Sequence, residues 1–191
     1  MALRVFAREK DISLKTGIAL LNEASAPATE DSYMILERNK LDGRLQVSMY
    51  GETTKRGGNE KPFSIDFLEG KLARRGNAAS VSGELVVKAV GGTKLFKTSS
   101  GSSASPLVFD LTAGLGRDAF ILACAGFNVC LFERNMVIYT LLRDALQRLE
   151  SQNKALGDRL HLYHWQDESI YDEALVHFDG TVPSVVYLDP M

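Results

Sequence analysis

Short apolar runs and longer amphipathic segments alternate along the second half of the chain. The apolar runs predict strands: "PLVFDL", "NVCLFE", "RLHLYH" and "SVVYLD". The segments between them predict helices: "RDAFILACAG", "MVIYTLLRDALQRLE" and "ESIYDEALVHF". Near-continuously apolar strands that alternate with helices are typical of a parallel sheet covered on both faces. We therefore predict a doubly wound α/β domain over residues 106–191.

The first half of the chain has a less regular pattern. "LRVFA" and "FSIDF" predict strands, "YMILERN" with "GRLQVSMYG" predicts a hairpin, and "ISLKTGIALLNEA" and "GELVVKAVGG" predict helices. The serine-rich stretch "TSSGSSAS" predicts a linker or surface loop between the halves. The chain thus divides into a small N-terminal α+β subdomain (1–97), a linker (98–105) and the α/β domain (106–191).

Composition narrows the class of protein. The chain has 191 residues, 45% of them hydrophobic, and a net charge of −2, which argues against bulk electrostatic coating of nucleic acid but permits a local basic patch. The two cysteines and three histidines lack the spacing of a metal site or disulfide framework. No apolar run reaches the roughly 18 residues of a membrane span, and the charged N-terminus is unlike a signal peptide. We expect a cytoplasmic protein.

A glycine-containing loop, "DLTAGLGRDAF", follows the first strand of the α/β domain. Gly114 and Gly116 permit a tight turn with no side chain toward a ligand, and the next helix presents free N–H groups at its start. Asp110, at the end of the strand, is placed to accept N–H groups of the loop. On these residues alone, the loop is either a ligand-binding loop or a simple strand-to-helix turn.

Three further acidic residues follow the other strands. Glu133 lies 19 residues beyond Gly114, where a carboxylate can accept both hydroxyls of a ribose. Asp167 is placed to bind an adenine amino group, or else has a simple loop or helix-cap role, and Asp189 ends the fourth strand. Because the carboxyl ends of parallel strands meet at one edge of a sheet, these carboxylates favour a nucleoside pocket.

The same loop also matches a dinucleotide-binding pattern, since "GLGRDA" satisfies G-x-G-x-x-(G/A). Two features weaken a nicotinamide dinucleotide: Thr112 and Ala113 separate the strand from the first glycine, and Asp110 suits a nucleoside better than a pyrophosphate. The pattern D-x-x-x-G-x-G is similar to the first motif of class I S-adenosylmethionine-dependent methyltransferases. An NAD-binding oxidoreductase is kept as an alternative.

"DLTAGLGRDAF", "FERN" and "VVYLDPM" together resemble the small-subunit ribosomal RNA guanine-N2 methyltransferase family, methyltransferase J. The resemblance extends more weakly upstream to residue 63. It implies a Rossmann-like class I methyltransferase fold and S-adenosylmethionine as cofactor. The implied activity is methylation of the exocyclic N2 of a guanine in 16S rRNA, with the rRNA or the 30S subunit as partner. Residues implied to contact the cofactor are Arg117, Asp118, Glu133, Arg134 and Asp189.

The chain departs from this family at residues 77–83, where the family has a more glycine-rich and basic run, and at two further places. The family has a pair of small hydroxyl residues where this chain has Gln166 and Asp167, which we retain as candidate cofactor contacts. Family members continue past "DPM" with an aromatic residue and further strands. We therefore expect a truncated sheet with an exposed edge at its fourth strand. A non-catalytic nucleoside-binding or RNA-binding module is a third interpretation.

Candidate catalytic groups come from the same strand end. Asp189 and the carbonyl of Pro190 are placed to accept an N–H hydrogen bond from the guanine amine, and no metal is required. Basic residues of the first half are either an RNA-backbone surface, opposed only by Glu84, or ordinary solvated side chains. They are Lys71, Arg74, Arg75, Lys88, Lys94 and Lys97.

Overall fold

A computed structural model describes residues 5–7, 20–22, 33–38, 45–50, 62–77, 79, 81–92, 94–98 and 105–189. The strands are β1 (Val5–Ala7), β2 (Leu20–Asn22), β3 (Tyr33–Arg38), β4 (Leu45–Tyr50), β5 (Leu107–Asp110), β6 (Asn128–Glu133), β7 (Leu160–His164) and β8 (Val185–Tyr187). The α-helices are α1 (Gly70–Gly76), α2 (Leu85–Ala89), α3 (Lys94–Thr98), α4 (Arg117–Cys124), α5 (Met136–Gln152), α6 (Lys154–Gly157) and α7 (Ser169–His177).

The C-terminal sheet has the order β7-β6-β5-β8, and all of its strand pairs are parallel. This confirms the alternating strands and helices predicted for this half. The chain runs outward from β5 to β6 and β7, then returns to pair β8 with the other side of β5. The strand order therefore reverses between β5 and β8, the position at which α/β sheets bind ligands.

The strands are apolar throughout because both faces of this sheet are covered. Val108, Val129 and Leu131 belong to a core cluster that includes side chains of α4 and α5. The residues that alternate with them, including Phe109 and Phe132, pack with side chains of α7 on the opposite face. Since successive side chains of a strand point to opposite faces, burial of both faces requires a continuous apolar run.

The N-terminal sheet has the order β2-β1-β3-β4. The predicted hairpin is confirmed, because β3 and β4 pair in antiparallel register. The helix predicted over residues 12–24 is wrong at Leu20–Asn22, which pairs with β1 as a parallel strand; its other residues lie outside the described part of the chain. A short apolar run is compatible with a helix or a strand, and here pairing with β1 makes the segment a strand.

The strand predicted at "FSIDF" is reduced to a single antiparallel bridge between Phe63 and Met49. The two residues exchange main-chain hydrogen bonds of 2.7 and 2.9 Å. The chain then turns away, since Asp66 Oδ1 accepts the N–H of Leu68 at 2.7 Å. The helix predicted at "GELVVKAVGG" is confirmed as α2, and Gly91 and Gly92 follow it with φ of +99° and +59°.

The segment between the two sheets packs on the helices of the C-terminal sheet. Phe67 stacks on Phe120 of α4 with ring centroids 5.1 Å apart. A Cβ at Gly76 would lie 2.6 Å from Cys124 Sγ, so α1 approaches α4 closely. Helix α1 was not predicted, and neither were the short helices α3 and α6. The boundaries predicted at residues 97 and 106 stay a prediction.

Arg148 of α5 ties this segment to the C-terminal half. Its guanidinium donates to Ile65 O at 2.5 Å and to Asp144 Oδ2 at 3.0 Å. Burial raises the pKa of Asp144, although Arg148 and the N–H of Val47 oppose the shift. The described helices include none long and apolar enough to cross a membrane.

Candidate functional site

The two loop glycines serve different purposes. Gly114 and Gly116 have φ of +50° and +68°, in the left-handed region that favours glycine. A Cβ at Gly116 would lie 2.7 Å from Leu142 Cδ2 and 3.1 Å from Phe67 Cζ. At Gly114 the nearest atom to such a Cβ is Thr112 O, at 3.7 Å. Gly116 is therefore required by packing, and Gly114 presents the open backbone surface expected of a ligand loop.

Asp110 orients the loop from beneath, as the sequence predicts. Its side chain is 2% exposed, and its Oδ1 accepts the N–H of Thr112 at 3.1 Å. The pKa of Asp110 is raised to about 6, chiefly by burial and further by the nearby carboxylates of Asp118, Asp189 and Glu133, against the hydrogen bond from Thr112. The acidic residues at these strand ends therefore lie close enough to interact electrostatically.

Glu133 also holds the loop, a role that sequence reasoning missed. One carboxylate oxygen accepts the N–H of Gly114 at 3.0 Å, and the other accepts the N–H of Asn135 at 2.6 Å. Asn135 in turn caps α5 by accepting the N–H of Val137 at 2.9 Å. The 19-residue spacing between Gly114 and Glu133 thus corresponds to a direct contact. Each carboxylate oxygen has a second lone pair, so ribose binding remains compatible with this arrangement.

Two hydrogen bonds cross the crevice between β5 and β8. The hydroxyl of Tyr187 donates to Asp118 Oδ2 at 2.9 Å, and the N–H of Asp189 donates to Thr112 Oγ1 at 2.8 Å. Neither Tyr187 nor Thr112 was identified as a site residue from the sequence. The available signals were a phenol in an aliphatic strand and a hydroxyl in the spacer before the glycines.

Gln166 and Asp167, which follow β7, make no hydrogen bond among the described residues to the acidic residues at the ends of the other strands. Asp167 Oδ1 accepts the N–H and the hydroxyl of Ser169, at 2.9 and 2.5 Å, and these bonds lower the pKa of Asp167. Gln166 Nε2 lies 3.0 Å from Nδ1 of His164. The contacts of Asp167 therefore support a local role in the loop that precedes α7, whose N-cap residue is Glu168.

The remaining candidate residues lie at the rim or outside the described residues. Arg117, at the start of α4, and Arg134, just after β6, are exposed. Pro190 is outside the described part of the chain, so its proposed carbonyl contact stays a prediction. In the described residues there is no group of three or more His, Cys, Asp or Glu side chains arranged to hold a metal ion.

One residue of the predicted basic surface, Arg75, lies close enough to Asp118 to interact with it electrostatically. Lys71, Arg74, Lys88 and Lys94 are exposed, while the side chain of Lys97 is outside the described residues. Arg75 makes a two-bond ion pair with Glu84, with N to O distances of 2.7 and 3.1 Å. Glu84 raises the pKa of Arg75, and Asp118 adds to the shift. Helix α1 therefore runs close to the first turn of α4.

Comparison with known proteins assigns the chain to a family. Residues 23–191 match the family model described as "Putative SAM-dependent methyltransferase" (SAM, S-adenosylmethionine). The chain belongs to this family. A crystal structure of a SAM-dependent methyltransferase from Neisseria gonorrhoeae has the same fold, with a TM-score of 0.64 and 27% identity over 98% of this chain and 69% of that one. The predicted fold class and cofactor are confirmed.

Curated relatives named "Ribosomal RNA small subunit methyltransferase J" narrow the family further. The relative from Dechloromonas aromatica is 36% identical over 172 residues, which are 88% of this chain and 65% of that protein. The one from Pseudomonas fluorescens is 33% identical over 192 residues, 96% of this chain and 69% of that protein. The chain thus spans about two thirds of the length of these relatives, and the resemblance seen in the sequence is confirmed.

The residues of the crevice fit S-adenosylmethionine and disfavour a dinucleotide. Four carboxylates, Asp110, Asp118, Glu133 and Asp189, interact around the loop. Such a cluster attracts a cationic sulfonium and ammonium, whereas it repels the two negative charges of a pyrophosphate. The open backbone at Gly114 leaves room for a ligand beside them. The NAD-binding alternative is therefore not favoured.

Proposed function

We propose that this chain carries the cofactor site of a methyltransferase that modifies the exocyclic N2 of a guanine in small-subunit rRNA. The observation that carries the proposal is the cluster of four carboxylates around an open glycine loop, at the strand-order reversal of a SAM-dependent methyltransferase fold. The names of the curated relatives support small-subunit rRNA as the substrate class. The partner is the rRNA or the assembled subunit, in the cytoplasm.

The chemistry is a direct displacement. When bound, S-adenosylmethionine would supply a methyl group on a cationic sulfur; its transfer to the amine nitrogen would break the carbon–sulfur bond, release S-adenosylhomocysteine and pass the amine proton to solvent. The chain's part is orientation, which provides much of the rate in such transfers. Asp110 and Asp118 stabilise positive charge at one end of the site, and Glu133, held against the N–H of Gly114, accepts the ribose hydroxyls with its remaining lone pairs.

Asp189 is the proposed acceptor for an N–H of the target amine, with the carbonyl of Pro190 beside it. Its backbone is held by Thr112, while its side chain is exposed and faces no hydrogen-bond partner among the described residues. A hydrogen bond accepted from the amine keeps the nitrogen lone pair from delocalising fully into the base. Arg117 and Arg134 at the rim, and Gln166 and Asp167 after β7, complete the proposed cofactor contacts.

The basic side chains of α1 and α2 are the proposed RNA-backbone surface. The effect of Asp118 on the pKa of Arg75 supports this surface lying at the edge of the cofactor crevice. Exposed lysines and arginines bind phosphates by charge and release counterions, so their contribution falls as salt rises. Lys94 and Lys97 of α3 extend the proposed surface along the chain.

Calorimetry and a methyl-transfer assay on unmodified small subunits test the proposal. We expect S-adenosylhomocysteine to bind and NADH not to bind. Glu133→Ala should weaken S-adenosylhomocysteine binding by at least about tenfold, the size expected for losing charge-assisted hydrogen bonds. Asp189→Ala should chiefly lower the rate of transfer and leave that affinity within about threefold, because Asp189 is assigned to the acceptor.

Glu150→Ala, an exposed glutamate at the end of α5, is the matched control and should change neither value. Glu133→Gln is a second variant that keeps one carbonyl acceptor, in case Glu133→Ala fails to fold. NADH binding without S-adenosylhomocysteine binding contradicts the proposal. Cofactor binding without methyl transfer favours the third interpretation, a non-catalytic nucleoside-binding module.

A further inference from the structure

Tyr187 carries a hydroxyl inside the crevice that the proposed reaction does not yet use. Its main chain is fixed by the sheet, since Tyr187 is the register partner of Asp110 and its carbonyl accepts the N–H of Leu111 at 3.1 Å. Its side chain is half-buried, and its hydroxyl donates to Asp118 Oδ2 at 2.9 Å. The bond joins β8 to the first turn of α4 across 69 residues of sequence.

Asp118 has like charges near it as well as the cationic Arg75, and the hydrogen bond from Tyr187 fixes one of its oxygens among them. Its carboxylate raises the pKa of Asp110, which shows that like charges lie close to it. Repulsion between neighbouring carboxylates favours rotamers that carry an aspartate side chain away into solvent. A neutral O–H donor holds one oxygen without adding charge, so the second oxygen keeps its full capacity to accept from a cation.

The tyrosine hydroxyl is suited to this task at neutral pH. Burial raises the pKa of Tyr187, and the hydrogen bond to Asp118 and the charges of Asp118, Asp189 and Asp110 raise it further. The phenol therefore remains a protonated donor at neutral pH. The direction of the hydrogen bond, from Tyr187 to Asp118, is fixed by the same chemistry.

We propose that Tyr187 is a positioning residue for the cofactor: its hydroxyl holds Asp118 so that Oδ1 of that carboxylate accepts from the cationic end of S-adenosylmethionine. The inference rests on the proposed function, because it assigns Asp118 to the cofactor. Tyr187 itself makes no contact with the reacting atoms. Its effect is therefore expected on cofactor affinity and on the KM for the cofactor, with kcat at saturating cofactor unchanged.

A double-mutant cycle on the full chain tests the proposal. Tyr187→Phe keeps the ring and removes only the hydroxyl, and we expect it to weaken S-adenosylhomocysteine binding by roughly fivefold in calorimetry, the size of one hydrogen bond. Asp118→Asn should weaken binding by roughly tenfold, and the double variant no more than Asp118→Asn alone, because one substitution removes what the other positions. The KM for S-adenosylmethionine should rise in Tyr187→Phe, while kcat stays within about twofold.

Tyr163→Phe is the matched control, since it makes the same chemical change in β7, where Tyr163 packs on Phe132 with ring centroids 5.4 Å apart. It should leave the affinity unchanged. Equal affinity of Tyr187→Phe and the unsubstituted chain, or additive losses in the double variant, overturns the positioning role and leaves the proposed function standing. If the unsubstituted chain binds no S-adenosylhomocysteine, the proposed function fails and the positioning role fails with it.

Discussion

At the carboxyl ends of β5 and β6 the acidic side chains are buried and accept main-chain N–H groups, whereas those that follow β7 and β8 are exposed. Asp110 and Glu133 are 2% and 8% exposed and hold the glycine loop between them. Among the described residues, Asp167 accepts hydrogen bonds only from Ser169, and the side chain of Asp189 is exposed. Hydrogen bonds to buried carboxylates thus organise the first half of the crevice, whereas the acidic side chains of the second half are exposed.

Gly116 is the most sensitive point of the organised half. We expect Gly116→Ala to lower the free energy of unfolding by about 3 kcal/mol, because a positive φ is strained for alanine and its Cβ would overlap Leu142. Denaturant unfolding measures this change. The alanine should also displace the loop and weaken S-adenosylhomocysteine binding.

Two other glycines distinguish the cost of a positive φ from the cost of steric overlap by an added Cβ. Gly70 has φ of +77° and no atom within 4 Å of an added Cβ, so Gly70→Ala should lower stability by only about 1 kcal/mol. Gly114→Ala, with its nearest atom at 3.7 Å, should have a similarly small effect on stability while weakening ligand binding. Equal losses at all three positions would show that the loop is not held by packing at Gly116.

Asp110 gives the second largest effect, through pH. Its pKa is raised from 3.8 to about 6 mainly by burial, so the folded chain binds this proton more tightly than the unfolded chain. The free energy of unfolding therefore falls as pH rises between about 4 and 6, and the contribution lost is of the order of 2 kcal/mol. Unfolding curves across this pH range measure it.

Asp110→Asn removes the ionisation and keeps an oxygen for the N–H of Thr112. We expect this variant to be more stable than the unsubstituted chain at pH 7.5 by about 2 kcal/mol, with a weaker affinity for S-adenosylhomocysteine. Asp167→Asn, which changes an exposed carboxylate, should not gain stability. An unchanged pH slope in Asp110→Asn would show that the raised pKa belongs to another group.

The smallest effect on stability is expected in the second half of the crevice, where the acidic side chains are exposed. Asp167→Ala removes the hydrogen bonds to Ser169 at the start of α7 and should lower the free energy of unfolding only slightly, since the site is exposed. Asp172→Ala, an exposed acidic residue in the first turn of the same helix, is the control and should cost less. A tenfold loss of cofactor affinity in Asp167→Ala would extend the cofactor site to β7 and weaken the contrast between the halves.

The C-terminal sheet was predictable because its rules are local. Strands covered on both faces must be apolar throughout, and the helices between them must have a polar side. The order of strands and helices from Leu107 to Tyr187 can therefore be predicted from the local sequence pattern. The acidic strand ends were predictable for the same reason, since parallel strands bring Asp110 and Glu133 to one edge. The N-terminal strand Leu20–Asn22 was not predictable, because the residues of this strand do not indicate that it pairs with Val5–Ala7.

Sequence by itself determined which residue types stand at the carboxyl edge of the sheet and, through resemblance, the family to which they belong. Only the tertiary structure decided what each one does there. Glu133 binds the N–H of Gly114, Gly116 makes room for Leu142, and Tyr187 reaches Asp118. These contacts join residues from separate strands and helices, and their distances depend on how the helices pack on the sheet, which no local pattern of residues encodes.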